Sequence, residues 1–265
     1  MADLQTLSLE TRGSVELVSL NRPEALNTLS PEMIRALGDY FEGLAERPEI
    51  RIVLLRGEGK AFCAGVDLKQ PRVEGAPPVH RPLSRFSALG RIIKAMRRCP
   101  QPIVGLGHGA ACGGGFSLLL ACDVRYGAPS LRMNAAYIRI GLGGCELSSS
   151  YLLPRLVGGS LASELLLTGR FLGAERARAA GLLSDVVEED QLVETGMALA
   201  QDMLLTSPLG LRLTKDALNF SLDAPSMEAA MAMEDRQQVL LTFTEDYAEA
   251  RSAFVERRTP VFQDR

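Results

Sequence analysis

Residues 15–23, VELVSLNRP, alternate apolar with polar positions and stop at a turn, which predicts a strand. The next stretch, SPEMIRALGDYFEGLAERP, predicts a helix. Ser30 suits its N-cap and Pro31 its first position, and Met33, Ile34, Leu37, Tyr40, Phe41 and Leu44 fall on one face. IRIVLLRGEG is a short apolar run closed by glycines, read as a buried strand, and KAFCAGVDLKQ follows it as a loop. Residues 70–82 hold prolines, Gly75 and mixed charge and predict a mobile surface loop. Residues 83–98 predict a helix ended by CPQP. PIVGLGHG predicts a strand, FSLLLAC a short helix after three glycines, and DVRYGAP another strand.

Strands alternate with helices up to about Val187, the pattern of an α/β fold with parallel strands. From Asp190 onward the pattern is helical, with candidates at 191–206, 208–220, 226–241 and 245–257. A boundary near residue 205 divides a core, 1–205, from a helical C-terminal region, 206–265, with no linker-like composition to mark it. No low-complexity segment or sequence repeat is evident.

Composition narrows the function classes. The 265 residues are 46% apolar and 23% charged, ordinary for one large globular domain or one with an appendage. A net charge of −3 argues against a nucleic-acid footprint, and no apolar run approaches a membrane span. MADLQTLSLETRG lacks a secretory pattern, so the expected location is the cytoplasm. Cys63, Cys99, Cys112, Cys122 and Cys145 form no C-x-x-C pair and read as reduced, buried thiols. His80 and His108 are far apart, which leaves little material for a zinc site or a Ser–His–Asp triad, and no metal is expected. His108 could act alone as a base, but a satisfied core or surface histidine is the simpler reading.

The chemistry concentrates in ACGGGFSLLLACD, residues 111–123. Glycines allow close backbone approach, and a helix that begins in them leaves its first N–H groups unpaired. Those donors, backed by the helix dipole, can hold a negative oxygen, and a buried apolar helix opening onto a cleft is well placed to stabilise an oxyanion. Tight packing or a turn would equally use the glycines. AFCAGVDL has the same character, with Ala64-Gly65 leaving the Val66 backbone accessible, so two such loops could converge on one carbonyl oxygen. VGLGHGA, with Asp123 beyond it, imitates a dinucleotide fingerprint. A second glycine cluster stands where the fingerprint helix should run, and two strand–helix units precede the motif, so no nicotinamide cofactor is expected.

LNRPEALNTLS, RGEGKAFCAGVDLK, GHGAACGGGFSLLLACDVRYGAPS, LPRLVGGSLASELLLTGRFLGAERARAAGLLSDVV and SAFVERRTPVF together resemble the enoyl-CoA hydratase/isomerase family, the crotonase superfamily, from about Val15 to Phe262. The resemblance implies a crotonase-like spiral of ββα units with a helical C-terminal trimerisation region, as a homotrimer or dimer of trimers. It implies an acyl-CoA thioester as substrate and no cofactor beyond coenzyme A. By motif position the two backbone donors to the thioester carbonyl are Val66 and Gly114. Ala25, Ala64 and Leu68 match backbone or packing contacts to coenzyme A. Lys69 takes the place of a basic residue near its phosphates, where the alternative is an exposed loop lysine. Arg257 matches another basic position, supplied across a subunit boundary or merely exposed.

The sequence departs from the family's hydratases at their two glutamates, where Ser117 and Tyr137 stand. Both donate hydrogen bonds, but their ordinary pKa values make them poor general bases near neutral pH. Glu146, in GLGGCELSSS, lies close to where the family's dienoyl-CoA isomerases carry an acid, so it is the expected acid/base. The alternative makes it a first-turn helix residue favoured by the macrodipole. Gly143-Gly144 beside it would open the backbone to a ligand. With one acid, double-bond isomerisation of an enoyl-CoA is easier than hydration. The alternatives are a catalytically weak acyl-CoA-binding homologue and a C–C bond hydrolase of the same superfamily.

Overall fold

The computed structural model describes residues 6–68 and 80–265, with side chains omitted over 80–86. Lys69 and residues 70–79 of the expected surface loop lie outside the described residues. The last three residues of that loop, His80 to Pro82, belong instead to the following helix.

A six-stranded sheet forms the centre. Its strands are β1 (Leu7–Arg12), β2 (Val15–Leu20), β3 (Ile52–Gly57), β4 (Ile103–Gly107), β6 (Val124–Gly127) and β9 (Asp185–Val186), side by side in that order. From β2 onward the neighbours are parallel, as the alternation of strands and helices requires. The first pair departs from that expectation, because β1 turns back at Gly13 and runs antiparallel to β2. A second sheet went unread in the sequence: β5 (Ala110–Cys112), β7 (Arg132–Asn134) and β8 (Leu172–Gly173). Strands of two or three residues are too short to show a period of two.

Period two in the main sheet sends its side chains to opposite faces. Val18, Leu20, Val53, Leu55 and Ile103 join the larger core with α1 (Pro31–Gly43), α2 (His80–Arg98) and α3 (Gly114–Ala121). Val15, Leu17, Ile52, Leu54, Val104 and Leu106 face α7 (Leu192–Leu204). The expected cap of α1 is present, with Ser30 Oγ accepting from the Met33 N–H at 3.3 Å. Helices α4 (Ser149–Val157), α5 (Gly159–Thr168) and α6 (Ala174–Ala179) precede α7 in the chain, and their buried apolar residues join the larger core.

A buried ion pair fixes α1 to the sheet. Glu16 on β2 is 1% exposed. It accepts from both terminal nitrogens of Arg47 at 2.9 and 2.7 Å, from the Tyr40 hydroxyl at 2.7 Å and from Thr11 at 3.2 Å. Burial opposes its charge, but Arg47 and the two hydroxyls outweigh it and hold the carboxyl below its ordinary pKa. A carboxyl depressed in the folded state contributes stability above its unfolded pKa and loses it as pH falls through the folded value. Arg47→Ala is therefore expected to cost about 3 kcal/mol at neutral pH, and less in acid, by denaturant titration at several pH values. A cost that does not shrink below the carboxylate range would assign it to packing.

The helical end comprises α7, α8 (Pro208–Ser221), α9 (Met227–Thr242) and α10 (Glu245–Glu256), close to the four sequence candidates. Lys215 on α8 is buried, and its Nζ reaches Asp123 Oδ2 at 2.9 Å, Gln101 O at 2.8 Å and Met96 O at 3.0 Å. That anchors α8 to the core. Beyond it burial thins: α9 has no buried residue, α10 buries Asp246 and Ala253, and Phe243 and Phe254 are 83% and 85% exposed. The cysteine expectation needs two corrections, the first being that Cys112 is only partly buried. Cys63, Cys99 and Cys122 are buried and all five thiols are free, but Cys145 is exposed in the turn before α4.

Candidate active site

β5 stitches the two glycine loops together. The Cys63 N–H donates to Ala110 O at 3.0 Å and the Cys112 N–H to Cys63 O at 3.0 Å, while β5 pairs with β7 through Cys112 opposite Asn134. The loop holding Val66 is fixed on its other side as well, by Leu29 N–H to Gly65 O at 2.8 Å and Ala64 N–H to Leu26 O at 2.9 Å. Gly65 takes φ +103°, and a Cβ there would lie 2.9 Å from Cys112 O and 3.8 Å from the Gly114 nitrogen. Only glycine combines that dihedral with that approach. Gly113, at φ +51°, then turns the chain into α3, which starts at Gly114, two residues earlier than FSLLLAC suggested.

The two loops that carry the expected donors lie side by side. A Cβ on Gly114 would stand 3.6 Å from Val66 Cγ2 and 3.9 Å from Leu147 Cδ1. Among the described residues, neither the Val66 nor the Gly114 N–H donates to a backbone carbonyl. Gly114 opens a helix whose eight residues are all buried, so its amide is one of the unpaired groups at a helix start. Such groups favour an oxygen that carries negative charge.

Ser117 lies one turn along α3 and is 0% exposed; Tyr137, in the short turn Ala136–Ile140, is 3% exposed. The Tyr137 hydroxyl faces the hydroxyls of Ser117 and Ser149. The approach is loose: Ser117 Oγ and the Tyr137 oxygen are buried, and neither makes a well-aligned hydrogen bond. Burial pushes the Tyr137 phenol above its ordinary pKa, the serines pull it part of the way back, and the Glu146 carboxylate pushes it up again. Tyr137 is thus a neutral donor at physiological pH, and Glu146 lies within its electrostatic reach.

Glu146 is half-buried and precedes α4 by three residues, so its reading as a first-turn helix residue is corrected. Its N–H donates to Ser149 Oγ at 3.0 Å and its carbonyl accepts from the Ser149 N–H at 2.9 Å. Between them, Leu147 and Ser148 both take left-handed backbone, φ 49° and 66°. Side chains disfavour that region, and such strain clusters at functional sites. Gly144 does not open the backbone to a ligand: a Cβ there would sit 1.9 Å from Leu166 O, so it is glycine for close packing. Ser148 also lines a groove of 610 Å³ between α2, α4 and α8.

The remaining sequence candidates scatter. Ala25 and Ala64 are half-buried on adjoining loops, tied by Asn27, which accepts from the Arg22 N–H and donates to Glu58 O and Ala61 O. Leu68 is exposed. Arg257 is the exposed, left-handed cap at the end of α10, an element that packs on α9 and the chain's C-terminal residues. His108 Nε2 is 2.9 Å from Gly59 O, as a satisfied core histidine would be. The dinucleotide reading fails on topology, because the strand β5, not a helix, follows β4. Among the described residues no three His, Cys, Asp or Glu side chains cluster as metal ligands, and no helix is long and apolar enough to cross a membrane. Sequence reading missed Leu147, Ser148 and Ser149. Non-glycine residues with positive φ carry no local signature, although the serine run SSS hinted at a capped helix.

Val66 and Gly114, on two loops joined by β5, lie beside each other, and the half-buried Glu146 and the buried hydroxyls of Ser117 and Tyr137 complete the group. The profile of the enoyl-CoA hydratase/isomerase family matches residues 10–265. A probable enoyl-CoA hydratase of Mycobacterium leprae is 38% identical over 96% of this chain and 88% of its own. The 1,2-epoxyphenylacetyl-CoA isomerase of Escherichia coli is 32% identical over 94% of each chain. The crystal structure of a putative enoyl-CoA hydratase from Streptomyces coelicolor superposes with a TM-score of 0.93 at 35% identity, covering 100% of this chain and 96% of that one. The chain belongs to the enoyl-CoA hydratase/isomerase family of the crotonase superfamily and is an enzyme of the hydratase/isomerase type.

Proposed function

We propose that this enzyme moves a double bond along the acyl chain of an enoyl-CoA. The Val66 and Gly114 amides bind the thioester oxygen, and the Glu146 carboxylate carries the proton. Glu146 takes a proton from a carbon activated by the thioester. The electron pair passes through the conjugated system onto the carbonyl oxygen as an enolate. The same carboxyl returns the proton to another carbon of that system, so no cofactor is consumed. The observation that supports this reading is the approach of the Gly114 and Val66 positions, neither of whose N–H groups donates to a backbone carbonyl among the described residues, with Leu147 beside them and Glu146 next to it along the chain. Isomerisation is favoured over hydration because the hydratases' glutamate positions hold Ser117 and Tyr137, which donate hydrogen bonds but do not take protons near pH 7.

Ala25, Ala64 and Leu68 line the coenzyme A arm, and Lys69 and Arg257 serve its phosphates, Arg257 from a neighbouring copy. The helical region from residue 206 builds a homotrimer or a dimer of trimers. The exposed apolar side chains of α9, α10 and the turn between them, among them Met227, Leu240, Phe243 and Phe254, support this. Sedimentation is expected to give three or six chains, and Phe243→Glu to lower that number. A wild-type monomer would refute the assembly.

Assays with 2-enoyl-, 3-enoyl- and 3,5-dienoyl-CoA test the reaction. Turnover is expected on a 3-enoyl or 3,5-dienoyl ester, with slower hydration of the 2-enoyl ester. Fast hydration alone would reject isomerisation. Tight thioester binding with no turnover would favour a binding homologue, the reading to which the Ser117 and Tyr137 replacements lend support.

A further inference from the structure

The direction of the Val66 amide is set by a third segment, residues 26–29. Leu29 and Val66 form an isolated parallel bridge. The Leu29 N–H donates to Gly65 O at 2.8 Å, and the Asp67 N–H donates to Leu29 O at 3.2 Å. These bonds straddle Val66, so its own N–H points away from Leu29, as in any parallel ladder. On that other side stands β5, with Cys112 O 2.9 Å from where a Cβ on Gly65 would be. Leu29 also packs over Gly114, its Cδ1 2.9 Å from a Cβ placed there. The segment therefore borders both proposed donors.

The segment is strained. Leu26 and Asn27 are left-handed at φ 50° and 54°, and neither is glycine. Such backbone persists only where its surroundings hold it. Arg22 supplies much of the hold. Its N–H donates to Asn27 Oδ1 at 2.9 Å. One terminal nitrogen of its guanidinium donates to Thr28 O at 2.6 Å, and the other to Asp67 Oδ2 at 3.2 Å. One planar group thus joins the residue before Leu29 to the residue after Val66. The ion pair is mostly buried, with side chains 21% and 12% exposed.

We infer that Arg22 is a positioning residue of the proposed site, which aims the Val66 amide by clamping Thr28 and Asp67 across the Leu29–Val66 bridge. This rests on the reading of Val66 and Gly114 as donors to the thioester oxygen, and adds a residue that acts on them from outside. A hydrogen bond weakens steeply as its angle closes, so a small tilt of the bridge costs the developing enolate one of its donors. Lysine is no substitute, because a single ammonium lacks the rigid fork that reaches both partners.

The test uses Arg22→Met, which removes both bonds, and Arg22→Lys, which keeps the charge and the stem. Turnover is measured on whichever enoyl-CoA reacts. The carbonyl stretch of bound butyryl-CoA, isotopically labelled at the carbonyl, is read by infrared difference spectroscopy. Donors to the oxygen lower that frequency. Wild type is expected to displace the band downward, and both variants to keep about half of the displacement, as with one donor of two. Their kcat should fall about tenfold to a hundredfold, while the dissociation constant of butyryl-CoA changes less than about threefold. A full displacement in Arg22→Lys would overturn the proposal, as would a fall in kcat with the band unmoved from its wild-type position. Binding that weakens as much as kcat, with a lowered melting temperature in both variants, would mark Arg22 as structural and equally overturn it. If wild type itself leaves the band where the free ester has it, the donor reading falls and takes the proposal with it.

Discussion

Glu146→Gln is expected to lower turnover of the reacting enoyl-CoA by about 10²- to 10⁴-fold, the usual contribution of a positioned general acid or base. The dissociation constant of the thioester should change far less. Both expectations come from how the residue is held. Its side chain is not what fixes the turn, because the bonds to Ser149 use the main-chain N–H and carbonyl of Glu146. Glutamine keeps the shape of the side chain and those main-chain bonds, and removes the negative charge and the capacity to accept a proton. The left-handed residues Leu147 and Ser148 should therefore stay in place, and Leu147 should continue to pack beside Gly114. Steady-state kinetics with whichever ester reacts, alongside a binding titration, provide the check. Full turnover by the glutamine variant would remove Glu146 from the chemistry.

Gly114→Val is expected to reduce kcat by about 10²- to 10³-fold, the size of effect seen when one donor to an oxyanion is lost. The added Cβ would meet Leu29 Cδ1 at 2.9 Å before any of the valine methyls were placed, with Val66 and Leu147 close behind. Relief requires movement of the start of α3 or of the loop bearing Val66, and either movement separates the two amides. Binding of the thioester should weaken much less, because the contacts proposed for the coenzyme A arm lie on the loops around Ala25 and Ala64. Kinetics and thioester affinity together separate the outcomes. Equal losses in kcat and affinity would assign Gly114 to packing alone.

The sequence carried most of what local rules determine. Ser30 and Pro31 announced the start of α1, and the helices from α7 to α10 ended within two residues of where their apolar spacing and turn residues placed them. The glycines around Gly65 and Gly113 pointed to backbone conformations that only glycine takes easily, and both have positive φ. Long-range geometry was not legible. The short strands β5, β7 and β8 exist because distant segments pair, and no window of sequence records that. Glu146 was found as a residue, but its position in a strained turn ahead of α4 was not, because Leu147 and Ser148 are not residues that advertise left-handed backbone. That the buried Ser117 and Tyr137 hydroxyls make no well-aligned hydrogen bond depends on the placing of every neighbour, which only coordinates reveal.

The ladder of β5 has a consequence for how such a site can change. One three-residue strand holds the Val66 loop through Cys63, leads into the glycine turn, and pairs through Cys112 with the strand that leads toward Tyr137. The proposed carbonyl donors are both main-chain groups on this frame, whereas the groups that meet the acyl carbons are side chains hung from it. Exchange of Ser117, Tyr137 or Glu146 alters what happens to the activated carbon without relocating the point of activation. On the proposed reading, the scaffold keeps thioester polarisation as a fixed inheritance and leaves the reaction open to revision one residue at a time.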